Sequence, residues 1–131
     1  MDAVPILIVD NYAGLRETIR LLLSQEGYLV YEAFTGHEAL EYLRVSPQPL
    51  VVLLDWYMPG LSGRDVLQTL AAYTPQARRH AYILYTSADR PYDLLAQVPA
   101  GFRVTALSKF SGIDDLLAAV NHASEHIARG S

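Results

Sequence analysis

Short apolar runs alternate with amphipathic segments along the whole chain. Each run is about four residues long and rich in β-branched or aromatic side chains, which is too short for a helix and typical of a strand. Three of the runs are apolar without alternation, the pattern of strands that are covered on both faces. The predicted strands are residues 6–9, 28–31, 51–54, 82–85 and 104–107.

The segments between these runs predict five helices. Apolar residues recur in them at helical spacing, as Leu15 and Ile19 do in the first. Gly27 suits the end of that first helix. The fourth helix is expected to be short, because Pro91 and Pro99 bound it. Hydroxyl-x-x-acid patterns mark three helix starts. These are Thr35-x-x-Glu38, Ser62-x-x-Asp65 and Ser111-x-x-Asp114.

Strands that alternate with helices predict an α/β domain. Such a chain forms a parallel sheet with right-handed crossovers and helices on both faces, which is a doubly wound fold. The functional site of such a fold lies beyond the carboxyl ends of the strands. The residues that directly follow each strand are therefore the candidates for chemistry.

Composition narrows the class of protein further. The 131 residues suffice for one domain, and the absence of cysteine excludes disulfides, thiol chemistry and Cys-ligated metals. A net charge of −4 argues against direct binding of nucleic acid, which needs a basic face. No apolar run approaches the roughly 18 residues of a membrane span, and no secretory signal is evident. We expect a cytoplasmic domain without membrane contact.

Polar residues follow four of the five predicted strands. They are Asp10 and Asn11, Asp55, Thr86 with Ser87, and Lys109. Two carboxylates about 5 Å apart repel by about 3 kcal/mol at an effective dielectric of 20, so they call for a cation. Hard oxygen ligands suit Mg²⁺, while a hydroxyl and an ammonium beside them suit an anion. Together these groups are what phosphoryl transfer to an aspartate requires.

The single lysine supports this interpretation. The chain has ten basic residues, nine of which are arginines, and its one compact ammonium, Lys109, stands just after the fifth strand. A lone lysine placed by chance would more often lie on a solvated surface.

Four collinear segments resemble the receiver domain of two-component response regulators. They are residues 6–11, 54–60 with the pattern Asp-x-x-Met-Pro-Gly, 85–88 and 108–110. The resemblance spans residues 4–128 and leaves 129–131 as a tail. It implies a CheY-like, flavodoxin-like sheet in the order 2-1-3-4-5.

The resemblance also implies a function. Asp55 would accept a phosphoryl group from a sensor histidine kinase or phosphotransfer protein, and Thr86 and Lys109 would contact the phosphoryl oxygens. Mg²⁺ would be held by Asp10, Asn11, Asp55 and the backbone carbonyl of Tyr57. The domain would then be a phosphoacceptor that assists its own phosphoryl transfer and hydrolysis, not an enzyme in its own right. It would signal to a downstream effector protein through its surface.

Three positions depart from the family pattern. Asn11 stands where a second acid is usual, so Mg²⁺ should bind weakly. Phe110 replaces a proline that usually follows a cis peptide bond, and a cis bond before a non-proline costs about 2.5–4 kcal/mol, so we expect a trans bond here. Ala106 replaces an aromatic residue on the fifth strand and has no ring to move.

Other interpretations of these residues remain open. Asp10 and Asp55 could be helix caps, and the segment 78–80 is expected to be a solvated turn. A haloacid-dehalogenase-like phosphatase needs a second acid two residues after its nucleophile, which this chain lacks. A flavodoxin-like binder would not place Asp10 in a phosphate loop. The main alternative is a receiver-like protein-interaction module that works without phosphorylation, as Asn11, Phe110 and Ala106 would suggest.

Overall fold

A computed structural model describes residues 4–130 as a five-stranded parallel sheet with helices on both faces. The strand order is β2-β1-β3-β4-β5, which confirms the predicted fold class. Neighbouring strands pair in parallel register, with Val9 opposite Leu54 on one side and Ala33 on the other. The strands are β1 (Ile6–Val9), β2 (Val30–Ala33), β3 (Val51–Leu54), β4 (Ala81–Thr86) and β5 (Arg103–Ser108).

Two apolar cores lie on opposite faces of the sheet. One joins the sheet to α1 and α4 through Ile19, Leu23, Leu116 and Val120. The other joins it to the remaining helices. Since β1 and β3 are buried at every position, their continuous apolar runs match their place in the centre of the sheet. The α-helices are α1 (Ala13–Gln25), α2 (Gly36–Val45), α3 (Gly63–Tyr73) and α4 (Ile113–Ala128).

The fourth predicted helix is a 3-10 helix, Pro91–Gln97, which is short as expected. A second 3-10 helix, Pro75–Arg79, links α3 to β4. Both begin at a proline, whose fixed φ suits a first helical position. Within the described residues, no helix combines the length and apolar character needed to cross a membrane.

The second strand begins two residues later than the apolar run 28–31 predicted. Tyr28 closes α1 instead, because its N–H donates to the carbonyl of Leu23 after Gly27 has turned the chain at φ +90°. Leu29 is half exposed. β2 lies at the edge of the sheet, and its burial varies from residue to residue. Apolar character alone therefore predicted the bounds of this strand poorly.

Two of the three predicted helix caps form. Ser62 and Asp65 make a complete capping box at α3, and Thr35 accepts a hydrogen bond from the N–H of Glu38 at α2. The prediction at Ser111 is wrong. Its hydroxyl donates to the carbonyl of Ser108 at the end of β5, and α4 begins after Gly112, which lacks a side chain to cap it.

The segment 78–80 is not a solvated turn, because His80 is completely buried. Its Nδ1 accepts a hydrogen bond of 2.9 Å from the N–H of Leu50, and its Nε2 lies 3.3 Å from the carbonyl oxygen of Leu43. The imidazole thereby ties the end of α2 and the entry to β3 to the start of β4. Burial lowers the pKa of His80 to about 4.

Candidate functional site

The carboxyl edge of the sheet brings Asp10, Asp55 and Lys109 together. The Lys109 Nζ lies 2.8 Å from Asp10 Oδ2 and 3.3 Å from Asp55 Oδ2, so one ammonium bridges two carboxylates. Both acids are buried, and the lysine side chain is mostly buried. The three residues stand 45 and more positions apart in the chain, and the parallel topology alone makes them neighbours.

Each carboxylate is held in the same way. Its Oδ2 faces Lys109, while its Oδ1 accepts a hydrogen bond from the backbone N–H two residues later. That N–H belongs to Tyr12 in the case of Asp10, at 2.9 Å, and to Tyr57 in the case of Asp55, at 3.3 Å. These local bonds fix the side chains at the strand ends, so the site is preorganised before any ligand binds.

Burial raises the pKa of Asp55, and the negative charge of Asp10 raises it further, whereas the ammonium of Lys109 opposes both effects. Burial would lower the pKa of Lys109, but the hydrogen bond to Asp10 and the charges of both acids outweigh it, so that its pKa is raised. The ammonium therefore keeps its charge at neutral pH.

Thr86 ends β4, which lies between β3 and β5 in the sheet, and it is fully buried. Its Oγ1 accepts a hydrogen bond of 3.2 Å from the N–H of Ala88, which leaves its own proton available for donation. Its carbonyl accepts the N–H of Lys109 at 2.8 Å. Thr86 therefore stands between the positions of Asp55 and Lys109 along the edge.

The oxygen donors at this edge fit a hard divalent cation such as Mg²⁺. Two buried carboxylates share one ammonium, and Asn11 and Tyr57 follow them on exposed loop segments. No group of three or more His, Cys, Asp or Glu side chains that could hold a metal occurs among residues 4–130. The carboxylates of Asp10 and Asp55 thus supply two negative charges, and the other oxygen donors at this edge are neutral.

Sequence reasoning missed Arg16, which contacts the backbone of Asp10 at this site. Its buried guanidinium donates a hydrogen bond of 2.7 Å from Nη1 to the carbonyl of Asp10, and its Nε lies 3.5 Å from Glu32 Oε1. The same group stacks on the ring of Phe34, 3.9 Å from its centroid. Arg16 lies three residues before Ile19 and seven before Leu23, so it falls on the apolar stripe of α1. An arginine at such a position was the sequence signal that could have indicated a buried guanidinium.

Gly63 is a second residue that the sequence analysis did not single out. A Cβ added there would lie 2.6 Å from the carbonyl oxygen of Asp55 and 3.0 Å from the Cα of Trp56. The Gly63 N–H also donates to the carbonyl of Trp56 at 3.0 Å. The first residue of α3 must therefore be small for the Asp55 segment to pack against the helix.

Ala106 and Phe110, the other two departures from the family pattern, differ in their exposure. Ala106 is buried in the core on the α2 and α3 face, whereas Phe110 is highly exposed. The described residues contain no cis peptide bond, which confirms the expected trans bond between Lys109 and Phe110.

Comparison with known proteins points to one family. A family model described as the response regulator receiver domain matches residues 6–121. The cell cycle transcriptional regulator CtrA of Caulobacter vibrioides is 30% identical over 124 residues, which cover 95% of this chain and 47% of CtrA. The chain thus spans about half the length of that relative.

Two further proteins match along most of their length. Sporulation initiation phosphotransferase F of Bacillus subtilis is 28% identical over 115 residues, or 88% of this chain and 89% of that protein. The response regulator TrrA of Thermotoga maritima, solved in complex with Mg²⁺-BeF, superposes with a TM-score of 0.74 at 27% identity, covering 92% of this chain and 98% of TrrA.

Proposed function

Because this chain belongs to the response regulator receiver domain family of two-component systems, we propose that it accepts a phosphoryl group on Asp55 from a sensor histidine kinase or phosphotransfer protein. The observation that carries the proposal is the single lysine bridging two buried carboxylates at the carboxyl edge of the sheet. A structural ion pair needs only one acid, whereas an anion-accepting site needs a cation held beside the nucleophile.

In the proposed reaction a carboxylate oxygen of Asp55 attacks the phosphorus. The new O–P bond forms as the P–N bond of a phosphohistidine breaks, and the departing imidazole nitrogen keeps the electron pair and takes a proton from water. Lys109 and the hydroxyl of Thr86 would donate to the phosphoryl oxygens as charge develops on them. The contact of Lys109 with Asp10 keeps its ammonium in place during this change.

Asp10, Asn11, Asp55 and the carbonyl of Tyr57 would hold Mg²⁺. When bound, this ion would neutralise charge on the phosphoryl oxygens. Asp10 contributes a buried charge and Asn11 a neutral amide oxygen, so we expect weaker binding than two acids would give.

Phosphorylation by a small donor tests the assignment directly. With acetyl phosphate and Mg²⁺, intact-mass spectrometry should show a gain of about 80 Da, as a base-labile acyl phosphate. Asp55→Asn should remove this gain. Asp89→Asn, which alters an exposed acid after β4, is the matched control and should keep it. A full gain in Asp55→Asn would refute the proposal.

A receiver-like interaction module that needs no phosphorylation is the second candidate. The exposed Asn11 and the buried Ala106 favour it, since the first weakens the cation site and the second removes an aromatic from β5. Under this alternative, the wild-type chain would gain no mass with any phosphoryl donor.

A further inference from the structure

A groove runs along the outer edge of β5, between α4 and the 3-10 helix that precedes β5. Its volume is about 490 Å³, which lies within the range of about 300–1,000 Å³ that is typical of small-molecule sites. The described residues that line it do not include Asp10, Asp55 or Lys109, so it is separate from the acidic site. We call this space, enclosed by residues of β4 and β5, by Tyr92 and by the face of α4 between residues 118 and 126, the β5 groove.

Small side chains keep the β5 groove open. Its lining includes five alanines from β4, β5 and α4, and a single methyl group at each position leaves the space beside the edge strand unfilled. Ala119 and Ala123 lie one turn apart, so α4 presents a stripe of small residues to the groove. The five alanines are Ala81, Ala106, Ala118, Ala119 and Ala123. Longer side chains at these positions would occupy the volume that a ligand needs.

The wall opposite α4 is short. The 3-10 helix Pro91–Gln97 has seven residues, about two turns, whereas α4 has 16 residues. Its Leu94 is buried in the core, while Tyr92 is highly exposed and lines the groove. Thr105, in the middle of β5, is accordingly exposed as well. The short wall thus contributes one aromatic ring and leaves much of the edge strand accessible.

One end of the β5 groove is basic. Arg103 stands at the start of β5, and His122 and His126 lie one turn apart in the second half of α4, which returns along the sheet toward that end. Arg103 and His126 also interact within the protein, so a ligand would add to contacts that they already make. No described lining residue is acidic. An apolar groove with a basic end is complementary to a molecule that has an apolar body and a negative group.

The shape of the groove favours a small molecule over a protein. A standard protein interface is a broad surface that buries about 800 Å² on each partner and is anchored by several large side chains. The β5 groove is instead a single concavity, and Tyr92 is the one highly exposed aromatic residue among its described lining residues. A flat ring that enters the groove can pack against Tyr92 on one side and against the alanines of α4 on the other.

We propose that the β5 groove binds a small aromatic acid. Its rings lie between Tyr92 and the alanine stripe of α4, and its negative group lies at the basic end, near Arg103 and His122. This binding does not depend on phosphorylation of Asp55, because the groove and the acidic site share no described residue.

The test uses two fluorescent probes that differ in charge. Anilinonaphthalene sulfonate is an aromatic anion, and phenylnaphthylamine has the same rings without the sulfonate. Ala119→Leu narrows the groove, and Ala72→Leu, which adds the same side chain at an exposed position of α3 outside the groove, is the matched control. Arg103→Gln removes the permanent cation of the groove, whereas Arg103→Lys keeps a positive charge. Circular dichroism verifies that each variant is folded before titration at neutral pH.

We expect the wild type to bind one anilinonaphthalene sulfonate per chain. Ala119→Leu should weaken the binding of both probes about ten-fold, because the added side chain occupies part of the groove, and Ala72→Leu should bind as the wild type does. Arg103→Gln should weaken the anionic probe about five-fold, as the loss of one charge contact near a protein surface does, and should leave the uncharged probe unchanged. Arg103→Lys should stay near wild type for both probes.

Three results would overturn the inference. They are the absence of saturable one-to-one binding, unchanged binding in Ala119→Leu, and an equal effect of Arg103→Gln on the two probes. A wild-type dimer that Ala119→Leu dissociates would also overturn it, in favour of a second copy in the groove. If Ala119→Leu fails to fold, the two Arg103 variants decide the question. Asp55→Asn should bind the probes as the wild type does, so this inference and the proposed function can fail separately.

Discussion

Acid should destabilise this fold through one buried imidazole, that of His80. Its neutral form satisfies two backbone groups, since Nδ1 accepts from Leu50 and Nε2 faces the carbonyl of Leu43. A proton added at Nδ1 would point at the N–H of Leu50 and break that hydrogen bond. Burial, with a smaller contribution from the charge of Arg79, lowers the pKa of His80 to about 4 in the folded state.

The size of the effect follows from the difference between the folded and unfolded states. The unfolded chain takes up this proton near pH 6.5, whereas the folded chain resists it down to about pH 4. The contribution of His80 to the free energy of unfolding is therefore complete above pH 6.5 and is lost as the pH falls toward 4. The total is about 3 kcal/mol, of which about 2 kcal/mol disappears between about pH 7.5 and pH 5.

Urea unfolding of the wild type and His80→Gln at both pH values measures this difference. Glutamine does not titrate, so the variant should lack the 2 kcal/mol loss, although unsatisfied backbone groups should make it about 1–3 kcal/mol less stable at pH 7.5. Because other titrating groups are common to both proteins, their contributions cancel in the comparison. His37→Gln, at an exposed position on α2, should show the wild-type pH dependence. The same pH dependence in wild type and His80→Gln would refute the reasoning.

Three further predictions concern the acidic site. Asn11→Asp should tighten Mg²⁺ binding about ten-fold or more, because it adds a negative charge beside the cation. Titration of Mg²⁺ followed by the fluorescence of the adjacent Trp56 measures the affinity, and an unchanged affinity would contradict this account. Tyr57→Asn should speed hydrolysis of the acyl phosphate, since the ring two residues after the acceptor would obstruct water; an unchanged or slower decay, followed by mass spectrometry, would exclude this shielding. Beryllofluoride, a phosphoryl mimic, should alter hydrogen exchange more in residues 87–98, around the short 3-10 helix, than in residues 104–107, because Ala106 has no rotamer to change. The reverse pattern would show that β5 carries the signal.

The acidic site could be predicted because its placement depends on topology. Residues that follow parallel strands must meet at one edge, so Asp10, Asp55, Thr86 and Lys109 needed only the correct order of strands and helices. An error of two residues at the start of β2 did not disturb this, because no predicted site residue follows that strand.

Arg16 and His80 could not be found in this way, because their roles depend on packing between distant segments. Arg16 is surrounded by the backbone carbonyl of Asp10, the carboxylate of Glu32 and the ring of Phe34. No sequence spacing identifies these three groups as its partners. Similarly, His80 follows two arginines, so its sequence context predicts a solvated side chain. Only the fold brings the end of α2 and the residue before β3 into contact with its ring. A buried polar group needs hydrogen-bond partners, and sequence alone does not say which segments supply them.

The unequal contacts of Lys109 give the site a further property. Its ammonium is 2.8 Å from Asp10 but 3.3 Å from Asp55, so Asp10 is the closer partner and Asp55 the one more readily released. If Asp55 became an acyl phosphate, the site would lose one carboxylate charge and gain those of a phosphoryl group, and we would expect Lys109 to turn toward the new oxygens while it keeps its contact with Asp10. Arg16 holds the Asp10 backbone in place, because its Nη1 donates a hydrogen bond to the Asp10 carbonyl. We therefore expect Asp10→Ala to slow phosphorylation of Asp55 by acetyl phosphate, followed by intact-mass spectrometry, even at saturating Mg²⁺, since besides removing a proposed Mg²⁺ ligand it would free the ammonium that would contact the phosphoryl oxygens. An unchanged rate at saturating Mg²⁺ would contradict this role of Asp10 as an anchor for Lys109.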